Sequence, residues 1–327
     1  VVERAVPEKR AGRLVVVGIV IVVGIAALSI TGDLRGVGDR LRDFAWWTFA
    51  AACGLSIANY AIRFIRWEIY LRMQSISLPR SSSAGVFVAG LSLAITPGKL
   101  GELVKSYFLR ELHAVPVTRS APIVIAERLT DLVALLALSV IGVAIYGIAV
   151  GITVAAAACV AAGLVVLAWP RVARAIIALV TRPQITRRFR ERLLDIYDGL
   201  ASLCRPARLL GTTAIGGVGW LGECVGFALV VHGIPGAEID VGLATLIYAA
   251  TTIAGALSFL PGGLGVTEGA MILLLVQSAD GLDTAGAFVA SVIIRLATLW
   301  LGVILGLFGV LWVQRRIAAR AAQSPAT

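Results

Sequence analysis

Nine ionisable residues lie inside or beside long apolar stretches of this chain, and they are where its chemistry could reside. Lys99, Lys105, Arg128 and Arg295 are cations; Glu102, Glu127, Asp131, Glu223 and Glu268 are carboxylates. A charge in apolar surroundings is costly unless it is paired or hydrated, so each one points to a partner, a cavity or a substrate. Several of them flank two matched breaks. The first reads Thr96-Pro97-Gly98-Lys99-Leu100-Gly101-Glu102 and the second Leu260-Pro261-Gly262-Gly263-Leu264-Gly265-Val266-Thr267-Glu268. Pro97, Gly98, Gly101, Pro261, Gly262, Gly263 and Gly265 are expected to interrupt helices and act as gating points. Interrupted helices in corresponding places of two halves present helix N-termini, which attract anions. Arginine's planar fork suits phosphate, and lysine adds a point charge. We therefore expect Lys99, Lys105, Arg128 and Arg295 to hold an anionic headgroup, with Glu102, Glu127, Asp131, Glu223 and Glu268 balancing charge or coupling an ion. The plainer reading stands beside this one. Glu102 and Glu268 can cap their own helices, and Glu127, Arg128 and Asp131 can pair to lock a bundle. Arg63 and Arg66 read as residues whose charged heads snorkel to an interface.

The elements that must carry these residues follow from composition. Of 327 residues, 59% are hydrophobic and 15% charged, where a soluble domain carries about 25% charged. The apolar runs reach the ~20 residues that cross a bilayer as a helix, and the short alternating segments of a barrel are absent. The fold class is an all-α polytopic membrane protein, with about six full spans plus two re-entrant helical hairpins in an inverted-topology repeat. We place spans at 14–30, 44–71, 120–147, 151–169, 210–232 and 285–313. The first follows Arg4, Lys9, Arg10 and Arg13 and reads as a retained span rather than a cleaved signal peptide, since no convincing small-x-small site follows it. The stretches 84–110 and 241–278 each hold two apolar arms too short to span, which suits hairpins that enter and return on one side.

Charge sets the expected orientation. Arginines crowd 171–208 and the C-terminal tail, while Glu238, Asp240, Asp280 and Asp283 mark the other side. The positive-inside rule then puts both termini in the cytoplasm, in a cell (cytoplasmic) membrane. The first hairpin enters from the cytoplasm and the second from outside. Trp46 and Trp47 read as outer interfacial anchors, Trp67 and Tyr70 as inner ones. The organisation is a tail, first span and outer loop over 1–43, repeat 1 over 44–149, a span and basic amphipathic segment over 150–209, repeat 2 over 210–314 and a basic tail over 315–327. In the amphipathic segment Phe189, Leu193, Ile196, Leu200 and Leu203 recur at helical spacing, as in a helix lying on the inner surface against anionic headgroups. The net charge of +10 belongs to these loops rather than to nucleic-acid binding. Cys53, Cys159, Cys204 and Cys224 form no CxxC pair, and His113 and His232 have no ligand partners at metal spacing, so we expect no metal and no cofactor. Small residues on several spans suit close packing, including packing of two copies as a homodimer.

Arg66-Trp67, the run ending Thr96-Pro97-Gly98-Lys99-Leu100-Gly101-Glu102, Lys105, Val115-Pro116, Glu127-Arg128-Leu129-Thr130-Asp131 and the second break together resemble the lysylphosphatidylglycerol synthase transmembrane-region family, the flippase-like domain, over about 44–313. The resemblance implies movement of a lipid or lipid-linked headgroup between leaflets. Some members carry a soluble aminoacyl-transferase domain; this chain leaves no room for one after its last span, so we expect a stand-alone member. The function expected is transbilayer translocation of an anionic phospholipid or polyprenyl-phosphate-linked headgroup through a midplane cationic cavity, by a transporter rather than an enzyme. Two other readings stay open: an integral-membrane enzyme acting on a lipid phosphate, and a secondary transporter for a small soluble anion. The breaks themselves read as alike in backbone and unlike in charge, because the first carries Lys99 where the second has Gly263. On that difference the cytoplasmic hairpin is expected to contact the headgroup and the outer one to gate.

Overall fold

The computed structural model describes residues 34–323, apart from the side chains of 34, 98–100 and 321–323. The expected first span and the two chain ends lie outside the described residues. Those described are almost all helical, and the strand pairing among them is one isolated bridge, Glu238 to Asp280. A short helix α1 (Leu34–Arg42) precedes α2 (Trp46–Met73). Then come α3 (Arg80–Leu91), a 3-10 turn (Pro97–Leu103), α4 (Val104–His113), α5 (Val117–Tyr146) and α6 (Val150–Ala168). The second half holds α7 (Pro170–Val180), α8 (Gln184–Arg187), α9 (Arg190–Leu203), α10 (Pro206–His232) and α11 (Val241–Leu257). A 3-10 turn (Pro261–Gly263) leads to α12 (Val266–Ser278) and α13 (Thr284–Arg295). A π-helical turn (Leu296–Trp300) joins α13 to α14 (Leu301–Gln323).

Five helices among the described residues are long and apolar enough to cross a membrane: α2, α5, α6, α10 and the continuous stretch Thr284–Arg320. They coincide with the five later spans read from the sequence. The chain is an all-α, multi-pass membrane protein. Its short arms are α3 with α4 and α11 with α12, each pair flanking one break. Proline at the first turn and polar caps fix several helix starts. Pro170 and Pro206 open α7 and α10, where proline's missing N–H costs nothing. Asp240 accepts from the backbone N–H of Gly242 and Leu243 to start α11.

The two broken segments open at opposite ends of the bundle. At one end Ala45 N donates to Gly233 O, Glu238 pairs with Asp280, and Arg40 reaches Asp283 at 3.2 Å. That is where α11 begins and α12 ends. At the far end of α2, Arg119 Nη2 donates to Gln74 O at 2.7 Å and Gln74 donates to Gly199 O, beside the start of α3 and the end of α4. The turns of the two breaks contact each other.

Two expectations change. The breaks are not alike in backbone. Pro97–Leu103 stays in a right-handed 3-10 path from Gly101 onward, whereas Gly262, Gly263 and Gly265 all take positive φ, at 61°, 67° and 84°, a region open mainly to glycine. Phe259, just ahead of them, also sits there at φ 53°. Trp67 and Tyr70 are not interfacial anchors. Both are fully buried, packed with Phe87 and Leu109 in the core between α2, α3 and α4, and the Trp67 ring N–H donates to Ser83 at 3.0 Å. The helical spacing from Phe189 to Leu203 corresponds to α9, which packs on α5, and the arginine-rich stretch ahead of it forms α7 and α8.

Candidate functional site

The long helices converge on a cavity of about 250 Å³. Arg63 and Tyr60 of α2, Arg128 and Asp131 of α5, and Trp220 and Glu223 of α10 line it, with Tyr248 of α11 and Arg295 of α13. Both breaks close it from the side, through Thr96 and through Leu260, Gly262 and Gly263. Arg63 stands ten residues before the end of α2, about 15 Å at 1.5 Å per residue, so the cavity lies well inside the span. The π turn adds Thr298 and Leu299 to the wall, and Tyr60 donates to the Thr298 carbonyl. Such turns recur at functional sites, and no local sequence signal marks this one.

Against the cavity lies a buried ion network. Four basic side chains, Arg63, Arg66, Lys105 and Arg128, meet three carboxylates, Glu102, Glu127 and Asp131. Arg66 holds Asp131 at 2.6 Å, and Arg128 reaches the same carboxylate at 3.0 Å. Glu102 is in ion-pair range of Arg128 at 3.3 Å, Lys105 at 3.4 Å and Arg63 at 3.7 Å. Lys105 binds Glu127 at 2.5 Å beneath the faces of Trp67 and Phe87. Trp220 donates its ring N–H to Asp131 at 3.2 Å.

The second half builds a simpler copy. Arg295 holds Glu268 at 2.6 Å and donates to the Gly262 carbonyl. Glu268 also accepts the Gly265 N–H at 2.6 Å, capping α12, so capping and pairing are roles of one residue. In both halves the arginine downstream of a break pairs with the glutamate that follows that break: Arg128 with Glu102, Arg295 with Glu268.

Of the sequence-predicted cations, Arg128 and Arg295 line the cavity. Lys105 does not; it is buried in the network. Lys99 belongs to the first 3-10 turn, and its side chain is outside those described. Of the carboxylates, Asp131 and Glu223 line the cavity, while Glu102, Glu127 and Glu268 stand behind the arginines. Arg63 and Arg66 do not snorkel. They are 5% and 0% exposed and form part of the network. Asn59, Arg63, Arg66 and Tyr70 recur at i, i+4, i+7 and i+11, and that spacing draws a polar stripe along one face of an apolar helix; this signal could have assigned them inward. The facing helix makes room for them: a side chain at Gly219 would overlap the Asn59 amide, and one at Gly216 would overlap Arg66.

Arg63 and Arg128 keep unused capacity at Nε, which in both is buried without a hydrogen bond, while Arg63 Nη2 lies in ion-pair range of Glu102 and Arg128 Nη2 in range of Glu102 and Asp131. Buried guanidinium donors on a cavity wall suit an anion with several acceptor oxygens, such as a phosphate.

A family model described as the lysylphosphatidylglycerol synthase TM region matches residues 15–306. A protein described as a "UPF0104 membrane protein", from Methanothermobacter thermautotrophicus, is 24% identical over 312 residues, which covers 86% of this chain and 91% of that protein.

Proposed function

This chain belongs to the lysylphosphatidylglycerol synthase transmembrane-region family, and we propose that its cavity passes the headgroup of an anionic lipid from one leaflet to the other. The observation that carries the proposal is the pair Arg63 and Arg128, which line the cavity with buried donors left over. A phosphodiester brings oxygens for the Nε donors and competes with Glu102 for the Nη2 of both cations. A lipid, rather than a soluble anion, is favoured by the cavity's mouth. Phe259 and Leu260 line it, yet are 67% and 45% exposed. Large apolar side chains around an opening at this depth suit acyl or polyprenyl chains that stay in the bilayer while the headgroup moves. The two breaks meet beside the cavity on hairpins that open at opposite ends of the bundle, and they would gate it in turn. This reading makes the protein a carrier rather than an enzyme, set in the cell membrane with its arginine-rich end in the cytoplasm and α7 to α9 against anionic headgroups there.

Purified protein in vesicles doped with fluorescent phosphatidylglycerol provides the test, through the fraction of probe that a membrane-impermeant quencher bleaches over time. Wild type should expose the inner-leaflet probe. Arg63→Gln and Arg128→Gln should each slow this by about ten- to a hundredfold, the weight of one or two hydrogen bonds to a charged group. Unchanged rates in both variants would remove these residues from the path. Movement of inorganic phosphate but not of lipid would favour the soluble-anion transporter.

A further inference from the structure

Glu223 differs from the other carboxylates of this site. Among the described residues, Glu102, Glu127, Asp131 and Glu268 each have a basic side chain within ion-pair range. Glu223 has none. It is 4% exposed, lines the cavity, and accepts from Asn59 Nδ2 at 2.5 Å and from the Tyr248 hydroxyl at 2.7 Å. Beside it lies an orphaned acceptor: Asn59 Oδ1 is buried without a hydrogen-bond partner.

An asparagine amide offers its NH2 or its oxygen to the same neighbour with nearly the same shape. With the NH2 turned to Glu223, the Asn59 oxygen has no donor. Turned over, that oxygen faces Glu223, and the contact is a hydrogen bond only when Glu223 carries a proton to donate. The Tyr248 hydroxyl can donate to a carboxylate or accept from an acid, so it serves either state. Asn59 and Tyr248 together can therefore satisfy Glu223 both charged and neutral.

We infer that Glu223 is a proton-binding site coupled to anion passage, its carboxylate taking up one proton as the headgroup enters the cavity and releasing it as the headgroup leaves. The inference rests on the headgroup reading above. The groups facing the site are Tyr60 and Arg63 from α2, Arg128 and Asp131 from α5, Tyr248 from α11, Cys224 on its own helix, and Arg295 backed by Glu268. Asp131 is held by Arg66 and Arg128 and receives the Trp220 N–H, so its charge is already answered. The cavity wall presents three guanidinium groups against Asp131 and Glu223. Protonating Glu223 removes one of the two negative charges an incoming anion must face. By linkage, the bound anion must favour the proton by the same factor.

Two measurements test this. Infrared difference spectra of the purified protein across a pH titration should show a protonated-carboxyl band that is lost in Glu223→Gln and returns, displaced, in Glu223→Asp. In vesicles containing fluorescent phosphatidylglycerol, a one-unit pH gradient should drive wild type to an unequal leaflet distribution, up to about tenfold for one proton per lipid, and Glu223→Gln should lose that asymmetry. A titration whose band survives in Glu223→Gln overturns the assignment, and so does a sodium gradient that replaces the proton gradient. Lipid movement indifferent to the pH gradient overturns the coupling and leaves the headgroup reading intact. Wild type that moves no lipid sinks the headgroup reading instead, while the infrared band still decides whether Glu223 binds the proton. The wild-type arms need no variant to fold.

Discussion

Lys105 shows how far residue type alone can be trusted. As a lone lysine in an apolar stretch it invites a substrate role, yet the structure closes it off. It is 1% exposed, paired with Glu127 at 2.5 Å and Glu102 at 3.4 Å, and covered by Trp67. Its apolar setting is what hides the partner from the sequence, because Glu127 lies on another helix, 22 residues away. A buried pair of this kind adds little net stability when complete but is costly to halve. Lys105→Met should therefore destabilise the protein by about 3–5 kcal/mol, read as a lowered unfolding temperature in detergent micelles. The double variant Lys105→Met with Glu127→Leu should recover most of the loss. Equal losses in the single and double variants would show that Glu127 is not the partner that matters. Arg63 and Arg66 carry the complementary lesson. Their charge suggested the interface, and only the stripe they share with Asn59 and Tyr70 turns them inward.

At the scale of elements, length and hydropathy were enough to find the five spans among the described residues and the short arms. The paths of the breaks were not legible, because Pro-Gly in both conceals a 3-10 helix in one and a run of left-handed glycines in the other. What holds the first arm in place was also hidden among 35 glycines. Helix α3 lies against α14, where a side-chain carbon at Gly306 would come within 2.0 Å of the Ser92 nitrogen, and one at Gly309 within 2.5 Å of the Ala89 nitrogen. Backbones this close leave no room for even a methyl group. Gly306→Ala should cost about 1–3 kcal/mol by overpacking and shift the arm that leads into the first break, slowing lipid movement as well. Gly217→Ala, on a face of α10 with nothing within 4 Å, should be neutral or stabilising by up to about 1 kcal/mol, since alanine favours helix over glycine. Thermal unfolding of the two variants side by side checks this; equal behaviour would mean that the α3–α14 contact is not close in the membrane.

At the scale of the whole molecule, matched positions of the two halves meet. Asn59 stands 38 residues before Pro97, and Glu223 stands 38 residues before Pro261. These equivalent positions hydrogen-bond to each other, as expected of residues close to an axis that exchanges the halves. An axis lying in the membrane plane would send the two hairpins to opposite faces. The bundle has that form: the second hairpin opens beside Ala45 and Gly233, the first beyond Gln74 at the far end of the 28-residue α2. Arginine-rich α7 to α9 lie at the Gln74 end, where Gln74 itself donates to Gly199, and that end should face the cytoplasm. Single cysteines in a background whose four native cysteines are replaced by alanine can decide this. Glu111→Cys, at the exposed end of α4, should react with an impermeant maleimide only in inside-out vesicles. Thr284→Cys, at the exposed start of α13, should react only in intact cells. Gly281 would be a poor choice for the outer probe, because its φ is +67° and a side-chain carbon there would strike the Gly236 carbonyl. If both cysteines label from one side, the two hairpins do not open on opposite faces, and a cavity gated alternately from either leaflet loses its structural basis.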